Sequence, residues 1–173
     1  MNRRHALKNI LVASGTLVAL PSWARSWNVH EVLLYQTTFL VTEQETLASL
    51  ADAIIPAGDS IGALSVGVDK FLIKLIDECY DKDVQNNVKT QLNKLDAAAQ
   101  KTYQQSFMNG SLLQRQTLFM QFSGSVIKEE ADFFDLIKSE TIRGFSTSRE
   151  VMVKYYNYKV APGHYYGCVD LKS

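Results

Sequence analysis

Three histidines, two cysteines and eighteen carboxylates are the side chains of this 173-residue chain that could ligate a metal or relay a proton. Their spacing argues against both. His30 and His164 stand far apart, each without a neighbouring ligand. There is no Cys-x-x-Cys, Cys-x-x-Cys-His or His-Glu-x-x-His, the spacings that bring thiolates or imidazoles onto one metal or haem. Gly58, Gly62 and Gly67 are separated by four and five residues between helical patterns, so they read as turn formers and not as a dinucleotide cradle. Ser65, Ser106, Ser111, Ser123 and Ser125 lack the G-x-S-x-G context of an activated nucleophile. Glu129 and Glu130 are adjacent and would not face each other on a helix, and Asp132 and Asp135 read as a solvated face. No catalytic, cofactor-binding or metal-binding residue is therefore assigned, and an enzyme acting alone is poorly supported.

The two cysteines differ in setting. Cys79 falls within an apolar helical stripe and reads as a buried free thiol acting as a small hydrophobe. Cys168 is sixth from the C-terminus in a glycine-bearing segment. In an oxidising compartment it could pair with Cys79, stay free, or bond another chain.

Such a compartment is what residues 1–24 point to. Arg3 and Arg4 precede Leu7 and Lys8, then a mildly apolar stretch runs from Ile10 to Leu20, and small residues lead to Ala24. That order resembles a twin-arginine (Tat) export signal with cleavage after Ala24. At about 11 residues the apolar run is shorter than the roughly 20 a bilayer-spanning helix needs. Without the leader, 15 basic and 18 acidic side chains remain, which argues against a nucleic-acid partner. The Tat route carries folded cargo, and an exported chain with no cofactor motif of its own suggests that the cargo includes a partner.

The remaining 149 residues suit one domain. Thr42-Glu43-Gln44-Glu45 has the form of a capping box and starts a helix through Leu47, Leu50, Ala51 and Ile54, which Pro56 ends. Val68, Phe71, Leu72, Leu75, Ile76, Cys79 and Tyr80 form a continuous helical stripe. Val84, Val88, Leu92 and Leu95 continue at helical spacing, and Asp96 is placed to cap a further segment through Tyr103 and Phe107. Ser111 can cap another helix with Leu112, Leu118, Phe119 and Phe122 inward. A long helix is expected from about Ser125 to Arg143, burying Phe133, Phe134, Ile137 and Ile142, with Gly144 as a left-handed C-cap. Thr147-x-x-Glu150 can open a last short turn. The expected fold is all-α, a single bundle of about six helices over residues 25–154, with an irregular aromatic tail over 155–173. Tyr is enriched at interface cores, so Tyr155, Tyr156, Tyr158, Pro162, Gly163, Tyr165 and Tyr166 are the expected partner-binding residues. A stand-alone helical binding or scaffold protein of the periplasm is the competing expectation.

The chain resembles the gluconate 2-dehydrogenase subunit 3 family, the small or gamma subunits of bacterial FAD-dependent sugar and polyol dehydrogenases. The resemblance lies in the Arg3-Arg4 leader, in Phe39 to Glu45 running into Leu50 to Pro56, and in the Gly62-Ala63 and Gly67-Val68 loop before Phe71. Its most specific parts are Phe133 to Lys138, Thr141 to Ser148, and the Pro162-Gly163-His164-Tyr165-Tyr166-Gly167-Cys168 tail. It implies a non-catalytic subunit that binds an FAD-carrying catalytic subunit in the cytoplasm and escorts it through the Tat translocase to the periplasm, peripheral to the inner membrane. It also implies that a third, cytochrome c subunit often accepts the electrons, and that Cys168 can form an interchain disulfide to the catalytic chain.

Overall fold

A computed structural model describes residues 37–159 and Ala161. Among these, the chain is all-helical and contains no strand. Six α-helices follow one another: α1 (Val41–Ile54), α2 (Val68–Cys79), α3 (Lys82–Tyr103), α4 (Leu112–Ser123), α5 (Lys128–Ser146) and α6 (Arg149–Lys154). Short 3-10 turns at Leu64–Val66 and Phe107–Asn109 shape two of the connections.

Helix α1 packs against α2, α3, α4 and α5. Leu47, Leu50 and Ala51 are wholly inaccessible to solvent, and Ala53 nearly so. The two alanines let neighbouring helices come close, while each buried leucine contributes about 2–3 kcal/mol of transfer free energy. Around α1 the core is completed by Leu72 and Ile76 of α2, Leu92 and Leu95 of α3, and Phe133 and Ile137 of α5. Phe119 of α4 meets Phe134 at 4.6 Å and Phe133 at 6.2 Å, and Phe122 meets Phe133 at 5.8 Å, which locks α4 to α5.

Polar anchors fix the ends of these helices. The carboxylate of Asp77, on α2, accepts from the hydroxyl of Thr37 (2.6 Å) and from both the N–H (3.1 Å) and hydroxyl of Thr38. Lys89 of α3 donates to the Thr38 carbonyl at 2.9 Å and lies over the Phe39 ring. The entry to α1 is thus clamped across α2 and α3. Arg115 of α4 donates to the Ser49 carbonyl and to Asp52 Oδ2, both at 2.9 Å, tying α4 to α1. The turn before α5 is held by Glu130, which accepts from Ser125 at 2.6 Å and pairs with Lys94 at 3.2 Å. That Ser125 bond, and then Lys94, hold the Glu130 carboxyl below its ordinary pKa.

Several local expectations change on inspection. The start of α1 is two residues earlier than the Thr42 motif suggests: Leu40 is the cap position, and Glu43 reaches back to accept from its N–H at 2.9 Å. Asp96 opens no new helix, because α3 runs through it for 22 residues. Its side chain instead accepts from the Phe107 N–H at 2.8 Å and caps the 3-10 turn of Phe107–Asn109. Ser111 does cap α4, in a reciprocal box with Gln114. Helix α5 starts at Lys128 rather than near Ser125.

Gly144 does not end α5. The helix continues to Ser146, and Gly144 is buried within it. A Cβ built at this position would lie 2.6 Å from Cδ1 of Phe71. The glycine is there because the ring of α2 rests against the α5 backbone, and only a residue without a side chain permits that approach. We therefore expect Gly144→Val to destabilise the fold by about 1–3 kcal/mol through overpacking. Thermal unfolding followed by far-UV circular dichroism measures this, and an unchanged midpoint would contradict the packing argument.

Candidate docking surface

The residues expected to do chemistry stay dispersed. Among the described residues no cluster of three or more His, Cys, Asp or Glu could hold a metal ion. Asp132 and Asp135 are exposed on α5, as expected of a solvated face. Arg3, Arg4, Leu7, Lys8, Ala24, Pro162, Gly163, Tyr165, Tyr166 and Cys168 lie outside the described residues. Of the expected partner-binding residues, Tyr155, Tyr156 and Tyr158 are described, and at least half of each is exposed. They follow α6, whose cap Ser148 accepts from the Val151 N–H and whose Val151 is buried. The Tyr158 N–H donates back to the Met152 carbonyl at 3.0 Å, so this part of the tail starts by folding toward α6 while leaving its rings in solvent.

Cys79 is a free thiol, and it is exposed, contrary to the buried reading. Helix α2 buries Val68, Leu72 and Ile76, and Cys79 is its last residue, where the chain turns out through an extended Tyr80. Phe71, Leu75 and Cys79 then line the outer edge of the stripe, in a cleft of about 400 Å³ bordered by Lys70, Lys74 and Glu78.

Ile142 is likewise on the surface, 47% exposed. One turn beyond Ile137 the inward place falls to Thr141, which is wholly buried. Ile142 instead lies one turn beyond Lys138 and two beyond Phe134 on one flank of α5. Opposite, α4 is apolar on more than one side. It buries Leu118, Phe119 and Phe122, and leaves Leu113 73% and Met120 58% exposed. Leu112, expected inward, is also exposed. Between these flanks and the end of α1 runs a groove of about 520 Å³. Ala53, Ile54, Phe119 and Phe134 line it, together with Gln116, Met120, Ser123 and Lys138. The turn between α4 and α5 exposes Val126 completely and Ile127 in part. The sequence did carry a signal for this surface: an apolar pattern wider than one stripe cannot be covered by a single core.

A smaller polar cavity of about 180 Å³ lies between α1 and α3, near the Phe107 turn. Glu43, only 5% exposed, accepts there from Asn93 at 3.2 Å, and the buried Ser106 hydroxyl has no partner in the structure. At the base of α2, Tyr80 donates to Glu140 at 3.1 Å, and Glu140 pairs with Arg143.

Among the described residues, the all-helical body thus carries two clefts with largely apolar linings, one between α1, α4 and α5 and one along α2. The family model described as gluconate 2-dehydrogenase subunit 3 matches residues 42–163, and the chain belongs to that family. No curated protein and no solved structure matches it.

Partial burial, reinforced by the Glu140 hydrogen bond and charge, raises the Tyr80 hydroxyl above its ordinary pKa of 10.0. A raised folded-state pKa gives stability that is present below the unfolded value and lost as pH rises through the folded one. Urea unfolding should therefore show a steeper loss of stability above pH 10 for the native chain than for Tyr80→Phe. Parallel profiles for the two would remove the Tyr80–Glu140 contact from the account.

Proposed function

We infer that this chain is the small, non-catalytic subunit of a dehydrogenase complex, and that it escorts the catalytic subunit out of the cytoplasm. The observation that carries the reading is the family match over residues 42–163. In this reading the catalytic subunit holds FAD and oxidises a sugar, sugar acid or polyol. A cytochrome c subunit takes the electrons in complexes that have one. Residues 1–24 form the Tat signal, with Arg3 and Arg4 read by the translocase together with Leu7 and Lys8, and cleavage follows Ala24. Residues 25–154 form the helical body and 155–173 the partner-binding tail. The complex works in the periplasm, against the inner membrane.

The division of labour has a physical rationale. A Tat signal on one subunit exports any folded protein bound to it, so a flavin can be inserted in the cytoplasm before passage. The exposed tyrosines at the start of the tail support a docking role, because rigid aromatic rings contribute contact area at little entropic cost. After export, Cys168 meets an oxidising environment and forms a disulfide to the catalytic chain, making the association permanent.

Replacing Arg3-Arg4 by Lys-Lys should leave both this chain and its flavoprotein in the cytoplasm, as judged by immunoblots of periplasmic and cytoplasmic fractions. Undiminished export of the flavoprotein would refute the escort role. On a non-reducing gel of the complex, a band at the summed mass should disappear with reductant and with Cys168→Ser. If that band survives in the variant, Cys168 is not the link.

A further inference from the structure

The geometry points to the groove between α1, α4 and α5 as a second docking site for the dehydrogenase partner, separate from the tyrosine tail; this rests on the functional reading above. The occupant is a segment of that partner with apolar side chains and an adjoining Asp or Glu.

Three observations carry this. First, the groove is lined mainly by apolar side chains, Ala53, Ile54, Phe119, Phe134 and the exposed Met120 of α4. Large exposed apolar patches on folded domains mark interaction sites. Second, the two uncharged polar side chains that line it already donate hydrogen bonds within the protein. The Gln116 amide donates to the Ala53 carbonyl at 2.8 Å, and the Ser123 hydroxyl to the Met120 carbonyl at 2.8 Å. A small-molecule site needs a few converging polar groups to orient its ligand, and these two are spent within the protein. Third, the charge at the rim is of one sign. The Lys138 ammonium lies over the Phe134 ring at 5.5 Å and has no acidic partner among the described residues. An incoming carboxylate would complete it while apolar side chains fill the groove beside it. A second copy of this chain centred on the groove would instead bring two Lys138 side chains together near the symmetry axis, which is unfavourable. Met120 suits an interface of this kind, since its flexible thioether adapts to the shape laid against it.

The test uses the full chain co-expressed with its dehydrogenase partner and purified through a tag on this chain. Flavin absorbance of the eluate reports bound partner. Met120→Asp and Lys138→Glu should each lower the recovered flavin by about tenfold or more, the loss expected on disrupting an interface hot spot. Val41→Asp, an equally exposed site at the start of α1, should not. Circular dichroism of each chain alone should show the native helical content, because both altered side chains are already in solvent. Wild-type recovery from both groove variants would overturn this inference while leaving the functional reading intact. A wild-type chain that brings down no flavoprotein would overturn the functional reading itself. Occupancy is read directly from Met120→Cys in a Cys79→Ser, Cys168→Ser background. Maleimide should label it readily in the chain alone and at least about tenfold more slowly in the complex. Protection in the chain alone would overturn the inference, and its response decides the true occupant: loss on dilution means a second copy, and loss on deleting residues 162–173 means the tail.

Discussion

The body of this protein depends on the burial of the inner face of one helix, α1, against four others. Four other long helices are assembled against α1, and its Leu47, Leu50 and Ala51 see no solvent. Removing a leucine from such a position typically costs about 2–5 kcal/mol, a large share of the stability of a domain this size. Such a helix holds its neighbours in fixed positions, so that whatever they present outward is presented rigidly.

That constraint decides the character of the surface. Each outer helix needs one face for α1 and the core, and α4 and α5 carry more apolar residues than one face uses. The excess appears as the exposed Leu113, Met120 and Ile142, of which Met120 lines a preformed groove, while Phe71, Leu75 and Cys79 line a second cleft on α2. Polar anchors at the helix ends, Asp77 on Thr37 and Thr38 and Arg115 on Ser49 and Asp52, keep those faces in register without using up their apolar side chains. A subunit that must recognise a large folded partner gains from such pre-organisation, since little ordering entropy remains to be lost on binding.

The helical architecture was legible because strong periodicity, Pro56 and the Ser111 cap act locally. The misreadings share a different cause. Gly144 has the look of a C-cap, yet a ring from α2, more than seventy residues earlier, is what requires it. Asp96 resembles a helix start, but its carboxylate serves a turn eleven residues away, and the helix passes through it undisturbed. Cys79 and Ile142 fit apolar stripes by type, but Cys79 is the last residue of α2 and Ile142 sits beside the inward Thr141, so both are exposed. Family membership was legible in motifs spread along the chain, whereas the apolar excess of α4 and α5 signalled an outward surface but not its shape, because the groove forms from three helices and no single segment encodes it.

The claim at the centre is that this helical body acts by holding a second, flavin-bearing protein. Native mass spectrometry of the protein isolated from periplasm under non-denaturing conditions tests it most directly. The account predicts a species containing this chain, one larger polypeptide and one flavin. A lone chain of this mass, with substrate oxidation in the same fraction and no companion polypeptide, would contradict it.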